Sequence, residues 1–282
     1  MAEPIGAAPA RRLAVLGRPI GHSKSPGLHL AAYRRLGLDW SYERVDMDGA
    51  GVGEFVRTRG PEWRGLSLTM PLKHDVLPAL DEIDAVARLT GAANTVLLDG
   101  GRRLGFNTDV GGIVRSLADA GLDSAHAAVI LGGGATAASA LAAVAQLGVA
   151  RVRLLLRRPE AGGPLVELGR ALGVVVEPEH LAALAEAEPV DLVVSTLPGG
   201  TDPGVEASAA LASAALLLDV AYAPWPTVLA GQWIDRDGRV IDGSGMLLHQ
   251  ALLQVRIFVG GDPTAALPDE QGVLDVMRES LR

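Results

Sequence analysis

The stretch AAVILGGGATAASALAAVAQLGVA, residues 127–150, carries no charged side chain, and its length alone would suffice to cross a bilayer. Three glycines, Gly132, Gly133 and Gly134, interrupt it directly after AAVIL. That punctuation reads as strand, tight turn and helix rather than as a membrane span. The turn contains Gly132-x-Gly134-x-x-Ala137, a G-x-G-x-x-A pattern. Such a loop lets backbone N–H groups and a helix N-terminus approach a pyrophosphate with no side chain in the way. In a chain with 35 glycines the pattern alone also fits a merely tight turn. The strand before it and the helix after it are what favour a dinucleotide fingerprint.

Outward from this loop the pattern repeats. A helix is expected over 110–120, strands over 126–131, 151–156, 191–195 and 215–220, and helices over 135–147 and 164–172. Strands alternating with helices at this spacing predict a doubly wound parallel sheet. A dinucleotide site specific for NAD usually has an acid at the end of the second strand, for the ribose 2′-hydroxyl. Here that strand ends Leu156-Arg157-Arg158-Pro159. Two arginines favour a 2′-phosphate, hence NADP, through charge-assisted hydrogen bonds. A solvated arginine pair is the plainer alternative, and Glu160 lies close by.

The first hundred residues have a different rhythm. Strands are expected at 11–17, 40–47 and 65–71, a helix at 26–36, helical patterns up to residue 90, and a hairpin over 94–106 turning on Asp99-Gly100-Gly101. Two further helices are expected over 245–261 and 268–281. The fold class is therefore α/β with two domains, one a mixed α/β unit and the other Rossmann-like.

The totals narrow the function. A chain of 282 residues that is 49% hydrophobic can bury a large core. A net charge of −8 argues against a nucleic-acid backbone as partner. There are no cysteines, which excludes disulfides and thiolate zinc sites; no metal site and no membrane partner are expected. The start, MAEPIGAAPARR, lacks the apolar run of a signal peptide and reads as a short disordered lead-in.

Lys24 and Lys73 are the only lysines in this arginine-rich chain. A lysine ammonium can release and retake a proton, whereas a guanidinium stays charged. Both lysines fall in polar clusters. HSKSP (22–26) offers Ser23 and Ser25, with Ser25 as N-cap and Pro26 at the first helical position as the plain reading. SLTMPLK (67–73) offers Thr69 and Lys73, GAANTV (91–96) offers Asn94, and GFNTD (105–109) offers Asn107, Thr108 and Asp109. Each alone is ambiguous. Together they are the hydroxyls, amides, lysine and carboxylate that a crevice needs to hold a small polyhydroxylated acid and move a proton on and off it.

These motifs, followed by the LGGGA loop, STLP (195–198), DVAYAPWPT (219–227) and GMLLHQ (245–250), occur in an order and at a spacing that resemble the shikimate dehydrogenase family over nearly the whole chain. The resemblance implies a substrate domain over 11–109, completed by 244–282, and an NADP-binding Rossmann domain over 110–243. It implies reversible NADPH-dependent reduction of 3-dehydroshikimate to shikimate in aromatic amino acid biosynthesis, by a cytoplasmic monomer or homodimer. Carried over by position, Lys73 and Asp109 form the catalytic pair, Lys73 donating the proton. Ser23, Ser25 and Tyr222 hold the substrate carboxylate, and Thr69, Asn94 and Gln250 the ring hydroxyls. Gly132, Gly133, Gly134, Ala135, Arg157 and Arg158 bind NADP, with Thr196, Gly245 and Met246 beside the nicotinamide. The chain departs from the family at Ser67-Leu68-Thr69, where Asn-Val-Thr is usual, so that an amide contact is replaced by a hydroxyl or lost. It departs again at Leu156-Arg157-Arg158, where Asn-Arg-Thr is usual. Two rivals stay open: a quinate/shikimate dehydrogenase working oxidatively with NAD, and a non-catalytic dinucleotide-binding sensor.

Overall fold

The computed structural model describes residues 10–282; the expected disordered lead-in lies, up to residue 9, outside them. Chain contacts define two units. The first runs to Thr108 and resumes from Gln250 to Arg282, and the second is Asp109–His249.

The first unit contains β1 (Arg11–Gly17), α1 (Ser25–Arg35), β2 (Trp40–Asp46), α2 (Gly49–Arg57), β3 (Trp63–Leu68), α3 (Leu72–Asp75), β4 (Glu82–Ile83), α4 (Ala85–Thr90), β5 (Thr95–Asp99) and β6 (Arg102–Phe106). Its sheet has the order β2-β1-β3-β5-β6-β4. β1 is parallel to β2 and β3, whereas β5 is antiparallel to β3 and β6. The antiparallel pair is the expected hairpin. Its two linking residues, Gly100 and Gly101, have φ of 57° and 83°, the conformation that matches the twist of the flanking strands and that glycine adopts without a Cβ penalty. The helix α2 was not legible in the sequence, because GAGVG opens it with glycines that read as loop. It forms because Val52 and Val56, four residues apart and so on one face, are buried with Leu16, Leu66 and Leu72.

The second unit contains α5 (Asp109–Asp119), β7 (Ala127–Leu131), α6 (Ala135–Gln146), β8 (Arg151–Leu156), α7 (Gly163–Leu172), β9 (Val175–His180), β10 (Leu192–Ser195), α8 (Ala209–Ala214), β11 (Leu216–Asp219), α9 (Val228–Ile234), β12 (Val240–Ile241) and the start of α10 (Ser244–Gly260). The stretch 127–150 thus divides between β7 and α6. Among the described residues no helix is long and apolar enough to cross a membrane. The sheet is wholly parallel, in the order β12-β11-β10-β7-β8-β9. Numbered within the unit this is 6-5-4-1-2-3, the doubly wound Rossmann order, with its switch point between β7 and β10. Ligands in such sheets bind outside the carboxyl ends of the strands at that point. The sequence reading passed over β9, whose Pro178 and acidic residues are tolerated because the strand lies at the sheet edge.

After α10 the chain adds α11 (Glu270–Glu279) to the first unit. The sequence reading places the return to that unit at 244; the observed boundary falls inside α10. The start of this helix keeps to the second unit, where a Cβ on Gly245 would come within 2.6 Å of Ser116 Oγ and where His249 Nε2 lies 2.7 Å from Asp119 Oδ2.

Candidate active site

In the first unit the polar clusters gather where strands end. The loop after β1 carries Ser23 and Ser25. Ser25 is not the N-cap expected from HSKSP: α1 begins at Ser25 itself, and Lys24 stands at the cap without a side-chain cap bond. The Ser23 hydroxyl instead accepts the Ser25 N–H at 3.3 Å, and the Arg44 guanidinium donates to the Ser23 carbonyl through Nε at 3.0 Å and Nη2 at 2.6 Å. Both serines are therefore held by their backbone. Ser25 is buried although it does not cap the helix.

Thr69 follows β3, and its N–H bonds to the Leu16 carbonyl at 2.9 Å. The neighbouring Gly17 makes this close approach feasible, since a Cβ there would lie 2.4 Å from Thr69 Cγ2 and 2.8 Å from the Met70 carbonyl oxygen. Lys73 sits in α3 and is buried, and its carbonyl accepts the Ala93 N–H at 2.9 Å. That bond ties the lysine turn to the segment leading into Asn94. The Asn94 backbone is fixed on both sides: its N–H bonds to Phe106 O at 3.0 Å, and its carbonyl accepts from Leu68 N at 2.7 Å. Its buried side chain accepts the Thr108 N–H at 2.9 Å and donates to Thr108 Oγ1 at 2.9 Å and to Gln250 Oε1 at 3.4 Å. Asn94, Thr108 and Gln250 thus form one buried amide and hydroxyl cluster. Asn107 has a supporting place, its Nδ2 donating to Thr90 Oγ1 and the Ala92 carbonyl.

In the second unit Gly132 has φ of 106°, and a Cβ there would lie 2.3 Å from Thr196 Oγ1. Thr196 follows β10, and both its N–H and its hydroxyl bond to the Leu131 carbonyl, at 2.9 and 2.8 Å. The fingerprint loop and Thr196 therefore meet at the switch point of the sheet. Gly134 is the N-cap of α6, with no side-chain cap, and Ala135 opens the helix. The first-turn N–H groups of such a helix suit an anion. Ala137 is fully buried, as close helix-to-sheet packing demands. Arg157 and Arg158, exposed, follow β8 immediately beside β7.

Tyr222 lies on the loop after β11. Asp219 shapes that loop by accepting the Ala221 N–H at 3.1 Å and the Thr227 hydroxyl at 2.6 Å; burial pushes its carboxyl up from the usual aspartate range, against these hydrogen bonds. Gly243 is required next to this loop, for a Cβ would lie 2.0 Å from the Val220 carbonyl oxygen. Gly245 and the buried Met246 begin α10 from here. Asp109 is the buried first residue of α5, directly after Thr108.

The structure thus brings together Asn94, Gln250 and the segment of Lys73 in one unit, and the glycine loop with Thr196 in the other. The sequence reading gave no role to Thr108, although it quoted the motif, nor to Gln254. The signal for Gln254 was a second glutamine four residues after Gln250, hence on the same helix face.

Comparison with known proteins agrees with this layout. Residues 15–96 match the family described as shikimate dehydrogenase substrate binding domain. A shikimate dehydrogenase (NADP(+)) of Geobacter metallireducens is 35% identical over 272 residues, covering 90% of this chain and 92% of its own. The crystal structure of Mycobacterium tuberculosis shikimate dehydrogenase superposes with a TM-score of 0.79 at 39% identity, covering 95% of this chain and 98% of that one. That of the Thermus thermophilus shikimate 5-dehydrogenase, in complex with NADP(H) and shikimate, gives 0.79 at 30% identity, covering 96% and 99%. With a two-unit fold, a switch-point glycine loop and relatives that match from end to end, this chain belongs to the shikimate dehydrogenase family.

Proposed function

We infer that the protein catalyses the reversible NADPH-dependent reduction of 3-dehydroshikimate to shikimate, a step of aromatic amino acid (chorismate) biosynthesis, as a cytoplasmic monomer or homodimer. The reading is supported above all by the buried cluster of Asn94, Thr108 and Gln250 on the strand ends of the unit that carries Lys73. Buried amides and hydroxyls so ordered suit a polyhydroxylated ring. The role of substrate domain therefore falls to the first unit and that of NADP domain to the second.

The second unit fits a dinucleotide. Gly132 leaves no room for a Cβ, and α6 starts without a side-chain cap. Gly132, Gly133, Gly134 and Ala135 would hold the pyrophosphate. Arg157 and Arg158 would hold the 2′-phosphate, and Thr196, Gly245 and Met246 would lie beside the nicotinamide. When bound, NADPH supplies the hydride. Ser23, Ser25 and Tyr222 take the substrate carboxylate, while Thr69, Asn94 and Gln250 orient the ring hydroxyls. Lys73 gives a proton to the oxygen of the ketone as it becomes an alcohol, and in the reverse direction takes it back. Asp109 orients the ammonium for that transfer.

The test is the rate of NADP⁺ and of NAD⁺ reduction by the purified protein with shikimate and with quinate. Turnover with shikimate and NADP⁺ is expected. Preference for quinate or NAD⁺ would assign the oxidative role instead, and absence of turnover would leave a non-catalytic sensor.

A further inference from the structure

Behind Asn94 the first unit buries a chain of hydrogen bonds whose direction can be deduced. Two backbone groups anchor it. The Thr108 N–H can only donate, so the Asn94 side-chain atom 2.9 Å away is the oxygen. The Asn94 carbonyl can only accept, so the Gln254 atom 3.2 Å away is Nε2. Gln254 Oε1 therefore faces Ser67 Oγ at 2.8 Å and His29 Nε2 at 3.1 Å, and both must donate to it.

Each hydroxyl has one proton, which settles the rest. Ser67 spends its proton on Gln254 and accepts from Tyr42 at 2.7 Å. His29 carries its proton on Nε2, so Nδ1 accepts from the Tyr33 hydroxyl at 3.3 Å. Gln254 Nε2 also donates to Thr95 Oγ1 at 3.0 Å, and Thr95 passes its own proton to Asn94 Oδ1 at 2.8 Å. Donors thus run one way, from Tyr33 and Tyr42 to the Asn94 oxygen. His29, Ser67, Asn94, Thr95 and Gln254 are all buried, and solvent does not compete for these bonds.

We propose that Thr95 and Gln254 are positioning residues for substrate binding: they hold the oxygen edge of the Asn94 amide inward, so that its two N–H groups point to Thr108 Oγ1 at 2.9 Å and Gln250 Oε1 at 3.4 Å, the second and longer bond being the one a substrate hydroxyl takes over. The proposal rests on the reading of Asn94 as a substrate ligand. Ser67 and His29 act one step further back, by fixing which way the Gln254 amide points. A network that served stability alone would leave substrate affinity untouched in any variant that folds.

Thr95→Val keeps the shape of the side chain and removes the proton relay, and Thr95→Ser restores the hydroxyl. In Thr95→Val the KM for shikimate should rise about tenfold, with kcat within about threefold and the KM for NADP⁺ within about twofold. Thr95→Ser should return the shikimate KM to near the parent value. If Thr95→Val does not fold, Gln254→Met, which removes the relay from the other side, should give the same split. The proposal is overturned if the shikimate KM stays within about twofold, if both KM values rise together, or if Thr95→Ser behaves like Thr95→Val. Absence of shikimate turnover in the parent protein is a separate result, which defeats the functional reading itself and this proposal with it.

Discussion

His29 should make the protein lose stability below neutral pH by an amount the structure allows one to work out. Its ring is fully buried, stacked on Tyr42 with centroids 4.1 Å apart and planes 7° from parallel, and it also faces Tyr33 and Phe258. No carboxylate is among these neighbours, and burial pushes the two tyrosine hydroxyls up, so they stay neutral. Burial lowers the His29 pKa to about 3, only partly opposed by the hydrogen bond to Gln254. In the unfolded chain the imidazole titrates near ~6.5. Between these values the unfolded state binds a proton that the folded state refuses, so His29 favours folding fully above the unfolded value and loses that contribution as pH falls toward the folded one. At about pH 5.5 the loss is about RT ln 11, or about 1.4 kcal/mol, and at about pH 4.5 it is about 2.7 kcal/mol.

The assay is urea unfolding of the parent protein and of His29→Gln at about pH 7.5 and about pH 5.5, with the difference between the two pH values compared for the two proteins. The variant is less stable at both, but its decline on acidification should be smaller by about 1.4 kcal/mol. Nitrogen chemical shifts should also show His29 protonated on Nε2 alone throughout this range. Equal declines in the two proteins, or a His29 ring that titrates near pH ~6.5, would refute the reasoning.

Two further outcomes are expected. Lys73→Ala should lower kcat by orders of magnitude with a smaller change in KM; a fall below about tenfold, under ~1.4 kcal/mol, would rule out proton transfer by this lysine. Gly132→Ala places a methyl group 2.3 Å from Thr196 Oγ1 at a φ of 106°. It should raise the KM for NADP⁺ at least about tenfold while leaving shikimate affinity measured without cofactor unchanged, and an unaltered cofactor KM would show that the loop does not cradle the dinucleotide.

What could be read from the sequence was mostly local. The glycine loop between an apolar strand and a helix announced the second sheet, and Asp99-Gly100-Gly101 announced the hairpin, because both depend on a few adjacent residues. The helix α2 escaped because its glycines mislead about propensity, whereas the burial of Val52 and Val56, with Phe55 packed beside them, holds it. Ser25 was misjudged as a cap for a related reason: Ser23, two residues earlier, meets its N–H. For the site, the quoted motifs contained Asn94, Lys73 and Gln250, but their order as a cluster depends on Thr108 and on bonds across more than a hundred positions. The contact between Ser67 and Gln254 spans 187 positions. No periodicity or spacing could announce it, and it answers the amide question raised by Ser67: an amide stands beside the serine hydroxyl, supplied by α10.

That contact also constrains how the sequence can drift. Because the protons run in one direction through Ser67, Gln254, Thr95 and Asn94, replacing one member by a side chain that cannot both donate and accept leaves a buried polar partner unsatisfied. A lineage that replaced the buried serine by a larger amide would have to make room at position 254 at nearly the same time, or pass through a weakened intermediate. Positions 67 and 254 are therefore expected to vary as a pair among relatives, inherited as one unit despite lying 187 positions apart.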